Sequence, residues 1–261
     1  MGTKSWQIFE GKIRTLKQHL QLVDVALTLA NKKASSLKDN GKSIGATLEA
    51  RNGQHLQLNI PNQPKDIKRT FVTSRNKLNE HALIDLYRIY SDYIRNVVTG
   101  VMHKKPQLFI ELIKQSGSSI VSKNERNHHS ISCEDILKIG SYDSLIDEIS
   151  KRLYRSLENE KSNTKLLSKV IKTTHIDIDE DLKNKALLYL EIRHLIIHNN
   201  SKADEKFLKM PYWDLIKVNS KNKKICLNFD TTNRAITEVF KLCKTLDDEY
   251  MNLMNKASVN T

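Results

Sequence analysis

The stretch from Leu182 to His198 constrains the fold more than any other part of the sequence. From Ala186 onwards it is apolar on most sides of a helix, through Leu187, Leu188, Leu190, Ile192, Leu195, Ile196 and Ile197. A helix that is apolar nearly all round has to be buried among other elements. The sequence therefore predicts that this helix lies at the centre of the protein.

Both ends of this helix are marked by polar residues. Asp177 or Asp179 is expected to cap its start, because an aspartate oxygen accepts a hydrogen bond from a free N–H group of the first turn. Asn199 and Asn200 are expected to end it, because asparagine tolerates the left-handed backbone found at helix ends.

Helical periodicity recurs along most of the chain and predicts a mainly α-helical fold. A first helix is expected from about Ser5 to Ala34, and a second from Lys77 to Gln115 with a kink or break at Gly100 and at Lys104–Pro106. Further helices are expected after Ser132, over Tyr142–Glu160, over Asn163–Lys172 and after a cap within Asp230–Asn233.

Two small β-hairpins interrupt this helical pattern. The first alternates over residues 44–60 around the turn pair Asn52-Gly53, with Pro61 and Pro64 closing it. The second is expected before the last helix, over residues 216–229. We predict an N-terminal appendage over residues 1–75, made of a helix and a hairpin, and a helical domain over residues 76–261.

The chain is strongly basic, with 43 Lys and Arg against 30 Asp and Glu and a formal net charge of +13. This balance favours a polyanionic partner, nucleic acid first and an acidic membrane second. The alternative is a generic solubilising surface, since 32 of the 43 basic residues are lysine.

Cysteine usage and apolar runs favour a cytoplasmic protein. Cys133, Cys226 and Cys243 lie far apart and show no metal-ligand spacing. No run has the length of a signal peptide or a membrane span. We expect no resident cofactor or metal and no membrane partner.

Arg193 and His198 are the leading candidates for chemistry. The spacing alone is weak evidence, because Arg14 with His19 and Arg75 with His81 have similar separations. The setting distinguishes Arg193 and His198, because they interrupt the most apolar helix, where an unpaired charge is costly.

Two other interpretations of this segment remain open. In the first, Arg193 forms an internal ion pair with Glu191 or Asp204, and His198 caps the helix end. In the other interpretation, His194 and His198 share a helix face and bind zinc, with Asp204 the nearest third ligand.

Arg193-His194, three apolar residues and His198-Asn199-Asn200 resemble the motif of HEPN domains. The resemblance covers residues 77–257. It implies an α-helical bundle that commonly dimerises and brings two motifs into one cleft. Many members are metal-independent endoribonucleases, while others are non-catalytic modules that bind RNA or protein. Carried over by position, Arg193 and His198 would be catalytic, with His194, Asn199 and Asn200 binding substrate or supporting them.

The residue types suit RNA cleavage on chemical grounds. A ribose 2′-OH is a nucleophile beside its own phosphate, an imidazole transfers protons near neutral pH, and a guanidinium binds phosphate oxygens. Arg193 and His198 point about 140° apart on a straight helix, so a distorted helix end or a second subunit is needed to bring them together. We expect 2′,3′-cyclic phosphate products. A toxin or antiphage role with an inhibitory or activating protein partner is a further, family-level expectation.

Overall fold

The computed structural model describes residues 2–36, 44–49, 55–60, 64–109, 133–158, 163–174 and 176–258. The fold is mainly helical. In chain order the elements are α1 (Lys4–Ser36), β1 (Ile44–Glu49), β2 (His55–Ile60), α2 (Pro64–Lys104), a 3-10 turn (Pro106–Phe109), α3 (Cys133–Ile139), α4 (Tyr142–Glu158), α5 (Asn163–Thr174), α6 (Glu180–His198), α7 (Glu205–Leu208), a second 3-10 turn (Trp213–Leu215) and α8 (Phe229–Ser258). Within these residues no helix has the length and apolar character needed to span a membrane.

Helix α6 lies at the centre of the fold and packs against α2, α5 and α8. Every residue from Ala186 to Ile192 is buried, which confirms the prediction of a central helix. Asp179 is the N-cap, and its Oδ2 accepts a hydrogen bond of 2.8 Å from the Leu182 amide. Asn199 is the C-cap, and the backbone turns left-handed at Asn200 with φ of 51°. Both predicted helix ends are confirmed.

Helix α1 lies antiparallel to α2. Lys12 pairs with Asp92 at 3.0 Å and Arg75 pairs with Asp24 at 2.8 Å, so the start of α1 lies near the end of α2. The apolar face of α1 belongs to the same core as α6, through Trp6, Phe9, Ile13, Leu16 and Leu20. Helix α1 is thus part of the helical body.

Helix α2 begins at Pro64, well before the expected start at Lys77, and crosses the predicted boundary between residues 75 and 76 without a break. Proline suits the first turn of a helix, because its ring fixes φ near the helical value and its missing N–H would be unpaired there. The prediction that Pro64 closes the hairpin is therefore wrong, because this proline begins α2.

Helix α2 also continues through Gly100, where a kink or break was expected. A Cβ atom at this position would lie 2.7 Å from the Tyr250 hydroxyl, so glycine allows the close approach of α8. The helix ends at Lys104, two residues before Pro106, as the sequence predicts. Residues 110–132, which include the predicted continuation to Gln115, lie outside the described residues.

The bounds of α3, α4 and α5 confirm the three predicted short helices. The last helix begins at Phe229, ahead of the expected cap within residues 230–233. Asn228 takes that role, because its Oδ1 accepts a hydrogen bond of 2.8 Å from the Thr231 amide. The buried side of α8 carries most of the predicted apolar stripe: Ile236, Val239, Cys243 and Leu246.

Strands β1 and β2 pair antiparallel, with Ile44 opposite Ile60 and Glu49 opposite His55. Their connection, with the turn pair Asn52-Gly53, lies outside the described residues. The second predicted hairpin is not confirmed. Residues 216–229 take part only in isolated bridges, between Val218 and Ile225 and between Lys224 and Lys202. The Ile225 amide donates to the Ser201 carbonyl oxygen at 2.8 Å, so this segment also bonds to the turn after α6.

Candidate functional site

The last turns of α6 present four side chains on one arc of the helix. Taking Arg193 as zero, Ile197, His194 and His198 lie at about 40°, 100° and 140° around the helix axis. Ile197 and His198 are exposed, and Arg193 and His194 are half-buried. Leu195, on the opposite side, is buried in the core. We call these four residues the end face.

His194 and His198 are adjacent within the end face. Their ring centroids lie 4.8 Å apart and the rings are tilted by 42°, as expected for residues one helical turn apart. In the part of the chain that the structure describes, neither imidazole is paired with a carboxylate. The two rings are therefore available to a ligand approaching this side of the helix.

Arg193 is positioned by an aromatic ring from α2. The central carbon of its guanidinium lies 4.8 Å from the centroid of the Tyr87 ring. Such a cation–π contact is worth about 0.5–1 kcal/mol at a partly exposed site, and it leaves the guanidinium edge free to donate hydrogen bonds. Tyr87 is a site residue that the sequence did not single out, because it formed part of an ordinary apolar stripe.

Arg193 forms neither of the two ion pairs considered for it, with Glu191 or with Asp204. The Glu191 carboxylate is buried and accepts from Lys206 Nζ at 2.8 Å. Asp204 caps α7, where its Oδ1 accepts from the Phe207 amide at 2.8 Å. Among the described residues no carboxylate pairs with Arg193. The expectation of a buried charge is also modified, because Arg193 is only half-buried.

The structure does not bring Arg193 and His198 together within one chain. Helix α6 stays α-helical through His198, and left-handed backbone begins only at Asn200 and Ser201. Of the two routes expected to unite the pair, the distorted helix end is therefore absent. The other route, a second copy of the chain, is compatible with the exposure of the end face.

The turn after α6 is held by its own hydrogen bonds. The amides of Asn199 and Ser201 both donate to the Leu195 carbonyl oxygen, at 3.0 and 2.9 Å. The Asn199 side-chain amide donates to the Lys202 carbonyl oxygen at 2.7 Å, so it stabilises the turn. Asn200 is exposed.

A buried hydrogen bond fixes this turn to α2. The Ser201 hydroxyl donates to Glu80 Oε1 at 3.1 Å, and Lys77 Nζ donates to Glu80 Oε2 at 2.6 Å. Neither Glu80 nor Ser201 was singled out from the sequence, because no spacing rule joins residues 121 positions apart. The contact ties the end face to the helix that carries Tyr87.

The second interpretation of this helix end is a zinc site formed by His194 and His198. Within the described ranges no group of three or more His, Cys, Asp or Glu side chains is placed to hold a metal ion. Asp204, the nearest third ligand considered for His194 and His198, is engaged as the cap of α7.

Comparison with known proteins gave no match: no protein-family model, no curated protein and no solved structure matches the chain.

Proposed function

We propose that this protein is a metal-independent endoribonuclease with a HEPN-like helical bundle, and that RNA reacts at the end face. The observation that carries the proposal is the pair of adjacent imidazoles, His194 and His198, beside a guanidinium that no described carboxylate neutralises. A cationic surface with two proton-transferring groups suits a phosphodiester.

The reaction we propose is an internal displacement at phosphorus. One imidazole accepts the proton of the ribose 2′-OH while O2′ attacks the adjacent phosphorus. The bond from phosphorus to O5′ then breaks, and the second imidazole donates a proton to the departing O5′. The products are a 2′,3′-cyclic phosphate and a 5′-OH end. Ring centroids 4.8 Å apart allow both histidines to reach one phosphate group.

Arg193 would stabilise the negative charge that develops on the non-bridging phosphate oxygens. Because it points about 140° away from His198 on α6, the proposal assigns this role to Arg193 of a second copy. Two end faces related by a two-fold axis would each place an arginine beside the histidines of the other. The exposed Ile197 lies between Arg193 and His194 and would contribute apolar contact area to that dimer.

Total RNA incubated with the protein and a chelator tests the proposal. We expect cleavage by the wild type, none by His198→Ala, and undiminished cleavage by His19→Ala, which removes an exposed histidine of α1. End-group analysis should find 2′,3′-cyclic phosphate. Products with 3′-OH ends, or a strict requirement for Mg²⁺, would contradict the mechanism.

The second candidate is a non-catalytic HEPN-type module that binds RNA or protein. The separation of Arg193 and His198 within one chain favours this second candidate. A catalytic site needs both side chains to reach the same phosphate group, whereas a binding surface does not. A wild-type protein that binds RNA but leaves it intact with and without chelator would support this alternative.

The proposed setting is cytoplasmic. Growth arrest on expression that His198→Ala abolishes would point to a toxin or antiphage effector.

A further inference from the structure

After α6 the chain returns along that helix. We call residues 199–216 the return segment. Its successive partners on α6 lie progressively nearer the helix start. Ser201 bonds to Leu195 at 2.9 Å, Lys206 to Glu191 at 2.8 Å, and the Tyr212 hydroxyl donates to the Asp181 carboxylate.

The return segment thus connects the two ends of α6. Seventeen residues separate Asp181 from His198, which corresponds to a length of about 26 Å. A ligand that follows the return segment from the end face would reach residues 212–215 at the far end of the helix.

The return segment ends in an exposed aromatic turn, residues 212–215. Phe207 and Ile216 are buried on either side of it, at 0% and 2% exposure. Between these anchors Tyr212, Trp213 and Leu215 are 37%, 39% and 41% exposed. Tyr212 has a left-handed backbone with φ of 63°, which is unfavourable for a bulky side chain and persists only where the surroundings enforce it.

The two aromatic rings of this turn differ in availability. Tyr212 is engaged, because its hydroxyl bonds to Asp181 and Lys185 Nζ lies 5.1 Å from its ring centroid. Trp213 has neither a side-chain hydrogen bond nor a ring partner among the described residues. The indole is therefore the aromatic surface of this turn that is left for a ligand.

Charge identifies the chemistry of that ligand. The return segment itself is balanced, with three lysines against three acidic residues, and residues 217–227, which follow it, add four lysines and no acidic residue. The second group lies beside the start of the return segment, because the Ala203 amide donates to the Lys223 carbonyl oxygen at 2.9 Å. All seven lysines are exposed: Lys202, Lys206, Lys209, Lys217, Lys221, Lys223 and Lys224. Lysine is depleted at protein–protein interfaces. A group of exposed lysines together with an exposed aromatic ring is instead typical of single-stranded nucleic acid binding, in which cations contact phosphates and bases stack on rings.

We propose that Trp213 is a stacking platform for a base of single-stranded RNA, and that exposed lysines of the return segment and of residues 217–224 bind the phosphates between this base and the end face. This inference rests on the proposed function, because it takes the end face as the place where the strand is cut. The substrate is then a single strand several nucleotides long, held at both ends of α6.

Fluorine NMR of the full chain labelled with 5-fluorotryptophan tests the platform, because the protein has only two tryptophans. The probe is a single-stranded oligouridylate of about ten nucleotides, a typical site size for such proteins. Methylation of its 2′-oxygens removes the nucleophile, so the probe stays intact. Trp213→Phe assigns the two resonances.

We expect the oligonucleotide to shift the Trp213 resonance and to leave that of Trp6, which is 6% exposed, unchanged. Trp213→Ala should weaken binding about tenfold, whereas Trp213→Phe should retain most of it. Leu215→Ala is the matched control, since Leu215 is equally exposed in the same turn but cannot stack, and it should bind as the wild type does.

A Trp213 resonance that does not move at saturating oligonucleotide would overturn the inference. So would equal losses for Trp213→Ala and Leu215→Ala, which would indicate a general apolar surface such as a protein-docking site. The outcome is separable from that of the proposed function. A shift without cleavage retains the platform and rejects the nuclease, while cleavage without a shift does the reverse.

Discussion

The two ends of α6 carry polar side chains of opposite sign and in different states of pairing. At its start, Asp179 caps the first turn, Glu180 pairs with Lys183, and Asp181 bonds to Lys185 and Tyr212. At its end, Arg193, His194 and His198 are paired with no described carboxylate.

Helix electrostatics explains the signs but not the pairing. Acidic groups are favourable near the partial positive charge of a helix start, and cationic groups near the negative charge of its end. A helix serving stability alone would be expected to satisfy its end as fully as its start. The proposed function accounts for this difference, because it assigns a stabilising role to the start of α6 and ligand binding to its end.

Mixing two inactive variants gives the largest expected effect. Arg193→Ala and His198→Ala should each reduce cleavage by about 10²- to 10⁴-fold while the protein remains folded. If the site combines Arg193 of one copy with His198 of another, mixed dimers contain one intact site. Activity should then recover to about a quarter of the wild-type value.

The recovery is measured after the two variants have been unfolded and refolded together, with each variant refolded alone as the control. Far-UV circular dichroism checks that both are folded. If the mixture stays as inactive as the single variants, the site is not shared between copies, and the end face would have to act within one chain.

Tyr87 offers the next largest effect, because its ring positions Arg193. Tyr87→Leu keeps an apolar side chain but removes the ring, and we expect up to about tenfold slower cleavage with a stability loss of about 0.5–1 kcal/mol. Tyr87→Phe restores the ring and should rescue the rate. If the cleavage rate falls only as much as the protein is destabilised, and Tyr87→Phe does not restore it, then Tyr87 contributes packing and does not position Arg193.

The difference between the two ends also limits what the sequence could predict. The start of α6 depends on local rules, so Asp179 was identified as a cap from its place before an apolar run. Pro64 was assigned to the end of a hairpin, and the cap of the last helix was placed within residues 230–233 instead of at Asn228, because the same residue types occur in hairpins, turns and helix starts. Local signals of this kind identify a boundary better than they identify the element that follows it.

Three of the four residues of the end face were singled out from the sequence, but their arrangement was not. Motif and setting identified Arg193, His194 and His198. The ring of Tyr87 and the buried bond between Glu80 and Ser201 join segments more than a hundred residues apart, and no spacing in one sequence encodes such contacts. A hairpin was predicted over residues 216–229 because the alternation of apolar residues there was visible in the sequence, whereas the contacts of the preceding return segment along α6 were not.

Removing the cap at the start of α6 should affect stability without affecting chemistry. Asp179→Ala deprives the Leu182 amide of its partner and should lower the free energy of unfolding by about 1 kcal/mol. Asp177→Ala is the control, because Asp177 is exposed and lies outside the helix. Urea unfolding gives the stabilities. A cleavage rate lowered by Asp179→Ala in conditions where the protein is fully folded would break the distinction between the two ends.

The smallest effect concerns Asp181 and depends on pH. Hydrogen bonds from Lys185 and then from Tyr212 lower the pKa of this carboxyl below its ordinary value. A folded-state pKa below the unfolded one stabilises the protein above the unfolded value, and this contribution is lost as the pH falls through the folded value. Because the group is exposed, solvent screening keeps the effect small.

Urea midpoints of the wild type and of Asp181→Asn should therefore differ slightly at neutral pH, with the wild type more stable. The difference should shrink as the pH falls below the ordinary carboxyl pKa of about 4 and vanish once Asp181 is protonated. A difference that grows towards acid pH would mean that Asp181 is better accommodated when neutral, and the start of α6 would then no longer be the electrostatically satisfied end of the helix.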